Sequence, residues 1–196
     1  TSLRGRGQAK HIVVGESMEL LLHMCCGPCS TYSVKRFREL GYKIEGMFYN
    51  PNIHPYKEFQ RRLEALQQFC EAEDITLTVR KEYELEKHLQ TVMPDLANRC
   101  RLCFRLRLEE VARTAADLGI DRFSTTLAIS PYQNHEELQR EGEEAAKRHG
   151  VTFVYEDLRP GFRQSAEMSK EMGLYRQPYC GCIFSEKDRY YKEDKK

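Results

Sequence analysis

The sequence predicts a three-layer α/β fold: a parallel sheet of five strands with helices on both faces. Three observations carry the prediction. Five short apolar runs, at residues 19–24, 43–49, 75–79, 122–129 and 151–155, are spread along the chain. Segments with apolar residues at three- and four-residue spacing separate them. Gly41, Gly119 and Gly150 stand where those helical segments should stop. Parallel pairing needs a long crossover between strands, so regular strand–helix alternation points to a parallel sheet.

The first strand is built on Leu20, Leu21 and Leu22, and a helix over residues 30–40 follows it. After the second strand, residues 56–73 carry Phe59, Leu63, Leu66 and Phe69 on one face, an amphipathic helix with a packed side. The third strand leads into a helix over about residues 83–92, broken at Pro94, and then into one over about 103–118. The latter presents Leu108, Val111, Ala112, Ala115 and Leu118 together. A further helix begins beyond Asn134 and ends at Gly150, before the last strand. Residues 186–196 are nearly all charged or Tyr and read as a solvated helix end or tail. Residues 1–17 have no sustained period and precede Met18; they read as a leader added to a single domain spanning 18–185. The apolar stretch from Ile12 to Val14 is too short for a signal peptide.

A chain of 196 residues buries roughly 70% of its unfolded surface and needs no disulfide staples to build a core. No run approaches the roughly 20 apolar residues of a membrane span. With 31 Lys and Arg against 30 Asp and Glu, the formal charge is +1. That argues against an extended nonspecific nucleic-acid coat and leaves room for a local basic face. Eight cysteines without a secretory leader point to metal or redox chemistry in the reducing cytosol.

Ligands of open parallel sheets gather outside the carboxyl ends of the strands. That rule collects the cysteines on one edge. Cys25, Cys26 and Cys29 leave the first strand and enter a helix. Cys100 and Cys103 open the helix returning to the fourth strand, and Cys180 and Cys182 follow the last strand. Thiolates at helix N-termini are stabilised by free backbone N–H groups, which suits them to bind metal. Gly27 then permits close approach of a bulky ligand, and Pro28 sets a helix start. Four thiolates, Cys25, Cys26, Cys100 and Cys103, suit either zinc or an iron–sulfur cubane. Adjacent ligands favour the cubane, whose anchor points are spread over several irons. The Cys180/Cys182 pair suits a two-electron dithiol or, alternatively, a third pair of metal ligands. Cys70 beside Phe69 reads as core.

The loop Tyr49, Asn50, Pro51, Asn52, Ile53, His54, Pro55, Tyr56 falls on the same edge. It is polar and aromatic, and so is Ser130, Pro131, Tyr132, Gln133, Asn134 after the fourth strand. Both suit substrate contact through Tyr49, Asn50, Asn52, His54, Tyr56, Ser130, Tyr132 and Asn134. Thr125 and Thr126 read as packing residues of that strand. Arg99, Arg101, Arg105 and Arg107 surround the CxxC with no intervening acid and suit phosphate contact, tuning of a redox potential, or ion pairs with nearby Glu. Neither GxGxxG after a strand nor GxxxxGK[ST] occurs.

Five stretches in one order, LLHMCCGPCS, FYNPNIHPYKEFQRRLE, RCRLCFRLRLEEVA, FSTTLAISPYQNH and YCGCIFSE, make the chain resemble the QueH-type epoxyqueuosine reductases from Met18 to about Ser185. The resemblance implies a Rossmann-like fold related to the PP-loop nucleotide hydrolases, although their SGGxDS loop is missing. It implies two-electron removal of the epoxide oxygen of epoxyqueuosine in tRNA, giving queuosine, with electrons from a separate donor. It further implies a 4Fe-4S cluster on Cys25, Cys26, Cys100 and Cys103, a redox-active disulfide of Cys180 and Cys182, and in some members a second iron, for which Cys29 lies in the matching loop. Two other functions fit the residues alone: a zinc-stabilised RNA-binding module, and a thiol–disulfide oxidoreductase using only Cys180 and Cys182.

Overall fold

Strand β1 (Met18–His23) lies at the centre of the sheet, with Leu20, Leu21 and Leu22 wholly buried. Three consecutive apolar residues are what a parallel strand covered on both faces requires. It pairs in parallel with β2 (Tyr42–Phe48) on one side and β4 (Arg122–Thr125) on the other. β3 (Leu77–Val79) lies outside β2 and β5 (Thr152–Phe153) outside β4, giving the order β3-β2-β1-β4-β5. The chain therefore builds outward from β1 in one direction, crosses back, and builds outward in the other. Between β1 and β4 the crossovers diverge, and a crevice opens at the strands' carboxyl ends. This computed structural model describes residues 18–192; the expected leader 1–17 and residues 193–196 lie outside the described residues.

The helices are α1 (Gly27–Glu39), α2 (Tyr56–Ala72), α3 (Leu85–Val92), α4 (Arg99–Leu118), α5 (His135–His149), α6 (Phe162–Glu171) and α7 (Ile183–Tyr190). α1 packs with α2 and α6, while α4 packs with α3 and α5. A Cβ at Gly27 would lie 2.8 Å from the Ala65 carbonyl oxygen. What Gly27 admits is thus the backbone of α2, not the bulky ligand its place in the sequence suggests.

Several boundaries depart from expectation. The fourth strand stops at Thr125, because the Thr125 hydroxyl accepts from the Leu127 amide (3.2 Å) and caps a 3-10 turn over Thr126–Ile129. The third begins at Leu77, since the Ile75 amide is still bonded to the Cys70 carbonyl (2.9 Å). α1 starts at Gly27 and not at residue 30: Cys26 is its N-cap and Pro28 occupies the first turn. α4 starts at Arg99, so Cys100 and Cys103 both ride on one helix. α6 is an additional helix. Its buried face is Ser165 and Ser169, and Ser165 donates to the Pro28 carbonyl on α1 (2.5 Å), so no apolar period announces it.

Candidate thiol-lined active site

Cys25 and Cys26 leave β1 at the crevice between β1 and β4. The Thr126 hydroxyl, just past the end of β4, accepts from the Cys25 amide at 3.1 Å and lies 3.4 Å from Cys25 Sγ. Thr126 is wholly buried, as a packing residue should be, but it lies past the end of the strand and also clamps the first thiol across the switch point. Cys26 Sγ is 3.7 Å from Cys25 Sγ and accepts from the Cys29 amide (3.4 Å). The sulfurs of Cys25, Cys26 and Cys29 all lie within 4.8 Å of one another. Hydrogen bonds from Cys26 and Cys29 hold the Cys25 thiol well below its ordinary range. Burial, and then the neighbouring Cys25 thiol, push Cys26 up. His23, wholly buried, has its Nδ1 2.9 Å from the Thr125 hydroxyl and its Nε2 3.1 Å from the Tyr49 carbonyl. Nε2 therefore carries the proton and Nδ1 accepts. Burial, together with the charge of Arg107, lowers His23 to about 4, so it is neutral.

The second group of thiols borders a cavity of about 30 Å³, room for about one water. Cys100 and Cys103 come from α4, and Cys180 and Cys182 from the loop before α7; Asn52, His88 and Gln133 complete the polar wall. Arg107, 2% exposed, joins the two groups. Burial opposes its charge, yet Cys103, Cys180, Cys25 and Cys182 more than offset this and raise its pKa. Its Nε donates to the Cys103 carbonyl (3.3 Å). Burial pushes the Cys103 thiol up to about 12 against the pull of Arg107.

The remaining expected site residues are placed as follows. Arg107 is corrected from a phosphate contact to a buried cation facing thiols. Arg105 pairs with Glu141 (2.9 Å) and Arg99 with Asp188 (2.5 Å), while Arg101 is half-buried. Tyr49 is buried and its hydroxyl accepts from Lys87 (2.9 Å), away from the thiol cavity. Asn50 donates to the Met24 carbonyl (3.0 Å). Asn52 and His88 are buried, and Asn52 Oδ1 and His88 Nδ1 have no hydrogen-bond partner. His54 is buried against His88 and Tyr83. Tyr56 is half-exposed and stacks on Phe59. Asn134 caps α5, accepting from the Glu137 amide (3.2 Å), and Ser130 accepts from the Tyr132 amide (3.3 Å). Tyr132 is 86% exposed, edge-on to Phe162, beside Gln133, whose Nε2 donates to Cys180 Sγ (3.4 Å). Cys180 and Cys182 are free thiols here. Cys70 is core, as expected: it is 3% exposed, and burial pushes it up to about 12.

Sequence reasoning missed His23, Arg62, His88, Gln133 and Gln177, the last donating to Cys29 Sγ (3.4 Å). For His23 and Thr126 a signal existed, since both stand at the carboxyl ends of strands that flank the crevice. For the others the contacts run between segments distant in the chain.

The family model described as epoxyqueuosine reductase QueH matches residues 20–188. An epoxyqueuosine reductase QueH of Dehalococcoides mccartyi is 41% identical over 89% of this chain and 96% of its own length. The protein of that name from Thermotoga maritima is 35% identical over 88% and 93%. Among solved structures, the U34-tRNA thiolase NcsA of Methanococcus maripaludis with its [4Fe-4S] cluster superposes with a TM-score of 0.54 at 15% identity, over 89% of this chain and 64% of that one. A predicted subunit of tRNA methyltransferase from Methanocaldococcus jannaschii gives 0.52 at 12% identity, over 79% and 76%. These two likenesses bear on the fold alone, a doubly wound α/β architecture. On the sequence match across nearly its whole described length, the chain belongs to the epoxyqueuosine reductase QueH family.

Proposed function

We infer that the chain reduces the epoxide of epoxyqueuosine in tRNA to the cyclopentene-diol of queuosine. Two electrons and two protons remove the oxygen as water and leave a carbon–carbon double bond. The observation that carries this reading, beside family membership, is a buried guanidinium, Arg107, that feels Cys25 of the compact Cys25, Cys26, Cys29 triad on one side and Cys100, Cys103, Cys180 and Cys182 of the cavity on the other. A 4Fe-4S cluster fits the donor set. Arg107 is buried and the ionisable groups around it are thiols, neutral while protonated, so an anionic sulfur-rich group would supply its counter-charge. Cys25, Cys26, Cys100 and Cys103 would hold the cluster. The compact Cys25, Cys26, Cys29 triad also suits a single ion, and Cys29 is the candidate for a second iron.

When bound, the cluster supplies one-electron chemistry for C–O cleavage. The chain's own residues do the rest. Arg107 stabilises negative charge as it develops beside the thiols. Asn52 and His88, each with a buried polar atom free of partners, offer hydrogen bonds to a polar substrate at the cavity wall. The exposed Tyr132 ring offers a stacking face to a splayed anticodon base, and half-buried Arg101, next to Cys100 on α4, offers a phosphate contact. Cys180 and Cys182 would relay electron pairs between an external donor and the site. Among the described residues no helix is long and apolar enough to cross a membrane.

The test is anaerobic purification, with iron and acid-labile sulfide measured, followed by turnover of epoxyqueuosine-containing tRNA with a chemical reductant and mass analysis of the nucleosides. The expected result is a brown protein that forms queuosine and loses colour and turnover when Cys100 or Cys103 becomes Ala. A colourless, fully active protein overturns the cluster assignment. Stoichiometric zinc with RNA affinity and no turnover overturns the enzyme reading.

A further inference from the structure

The loop bearing Cys180 and Cys182 is held by a charged pair that an amphipathic helix would ordinarily display to solvent. On α2, Arg62 is 1% and Glu58 6% exposed. Glu58 Oε1 accepts from Arg62 Nε at 2.7 Å, and Oε2 accepts from the Tyr175 hydroxyl at 2.6 Å. The other two guanidinium nitrogens reach the loop backbone: Nη1 donates to the Cys180 carbonyl (2.8 Å) and Nη2 to the Tyr179 carbonyl (2.9 Å). The Tyr179 ring lies against the guanidinium, its centroid 5.4 Å from Cζ, and its hydroxyl donates to the His54 carbonyl. The His54 amide donates to the Gly181 carbonyl (2.8 Å), and His54 Nδ1 accepts from the Ile183 amide (3.4 Å).

A buried ion pair offsets its desolvation only when its hydrogen-bonding groups find partners in good geometry. Each of the three guanidinium nitrogens does, and two of them act on the pair of residues that precede Gly181. Gly181 has φ +149°, where residues with a side chain rarely sit, and a Cβ there would be 3.2 Å from Arg62 Nη1. The fork therefore grips the loop at backbone distance. In this arrangement the two sulfurs take separate partners: Cys180 Sγ accepts from Gln133, and Cys182 Sγ accepts from the Ser185 amide (3.4 Å) as the N-cap of α7.

We propose that Glu58 and Arg62 form a positioning pair that holds Cys180-Gly181-Cys182 in its dithiol conformation and so favours the reduced form of that couple. This rests on the reading of Cys180 and Cys182 as an electron relay. Oxidation removes two electrons and two protons from the thiols and forms one S–S bond across a single intervening residue, which turns the backbone on both sides of Gly181. The two carbonyls gripped by Arg62 are then no longer where the fork meets them. Stabilising the reduced form of a couple makes its disulfide the stronger oxidant. Removal of the fork shifts the equilibrium toward the disulfide.

The test equilibrates the holoprotein anaerobically at a series of glutathione to glutathione-disulfide ratios. Each glutathione disulfide accepts two electrons and two protons and becomes two glutathiones. Free thiols are then alkylated and the peptide carrying residues 180 and 182 is read by mass. In Glu58→Gln/Arg62→Gln, which strands neither charge, the couple shifts at least about tenfold toward the disulfide, or about 30 mV for two electrons. Arg62→Lys keeps the charge and the Glu58 partner but reaches only one carbonyl, and shifts it less in the same direction. If the double variant does not fold, the sign and size of the Arg62→Lys shift decide. A purely structural pair would lower the melting temperature and leave the half-oxidation ratio unchanged. That outcome, or a shift toward the dithiol, overturns the proposal while the relay reading stands. A wild-type protein that forms no disulfide at any ratio overturns both.

Discussion

Replacing Thr126 by Val tests whether the switch point holds the first thiol as described. The hydroxyl is wholly buried and is the acceptor for the Cys25 amide at 3.1 Å, with Cys25 Sγ 3.4 Å away. Valine fills nearly the same space, so the cavity contribution is small and the loss is that of the acceptor. A buried donor left unpaired costs about 1–3 kcal/mol. For a domain of this size each kcal/mol moves the melting midpoint by about 2–4 °C, so the variant should melt roughly 2–12 °C lower. Thr126→Ser keeps the oxygen and gives up one methyl, about 0.8 kcal/mol of burial. The assay is anaerobic urea and thermal unfolding in excess reductant, with the alkylation rate of Cys25 followed alongside. Valine should expose Cys25 to faster alkylation, and serine should not. If the valine variant is as stable as the serine variant and protects Cys25 equally, the cross-crevice clamp is not a structural element.

Acid sensitivity should follow from two buried histidines. Burial lowers His23 to about 4 and His88 to about 3, against an ordinary 6.5. Below about pH 6.5 the unfolded chain takes up protons that the folded chain refuses, so stability is greatest above that pH. It falls toward pH 4 by up to about 1.4 kcal/mol per pH unit for each histidine. Urea midpoints should therefore drop from about pH 7 to about pH 5, less steeply in His88→Gln; identical slopes in the variant and the parent would falsify this. Gly27→Ala places a methyl 2.8 Å from the Ala65 carbonyl oxygen, a backbone atom that cannot swing aside, and should cost about 1–3 kcal/mol in thermal unfolding. An unchanged melt would mean that α1 and α2 do not approach so closely. Tyr132→Ala removes an 86% exposed ring, so stability should stay within about 0.5 kcal/mol. A lost base stack is worth about 1–3 kcal/mol, so KM for tRNA should rise roughly 5- to 150-fold, with Tyr132→Phe near the parent. Equal KM in the alanine variant removes Tyr132 from substrate contact.

The alternation of strands and helices was legible because the central strands and the packed faces of α2 and α4 are built from Leu, Phe, Val and Ala at regular spacing. α6 was not, because a helix that packs through Ser165 and Ser169 onto Thr31 and the Pro28 carbonyl carries no apolar stripe. Cys100 and Cys103 were legible as a pair, but their shared helix begins at Arg99, four residues before the start near 103 expected from the apolar pattern of Leu108, Val111, Ala112, Ala115 and Leu118. Glu58 and Arg62, four residues apart on a helix, have the spacing of a surface ion pair. Only their bonds to Tyr175, Tyr179 and Cys180, 117 or 118 residues away, make them internal. Arg107 was visible as a cation near thiols. Its burial was not, since that depends on which face of α4 meets the sheet.

Gln177 reaches back 148 residues to Cys29, and the loop that follows it lies over the thiols of α4. During translation at roughly 5–20 residues per second, the early cysteines emerge about 7–30 s before their cover is made. For that interval Cys29 is without the amide that Gln177 supplies, and the α4 thiols are without the loop that lies over them. The thiols and the segment that covers them thereby acquire an order in time, with the cover made last.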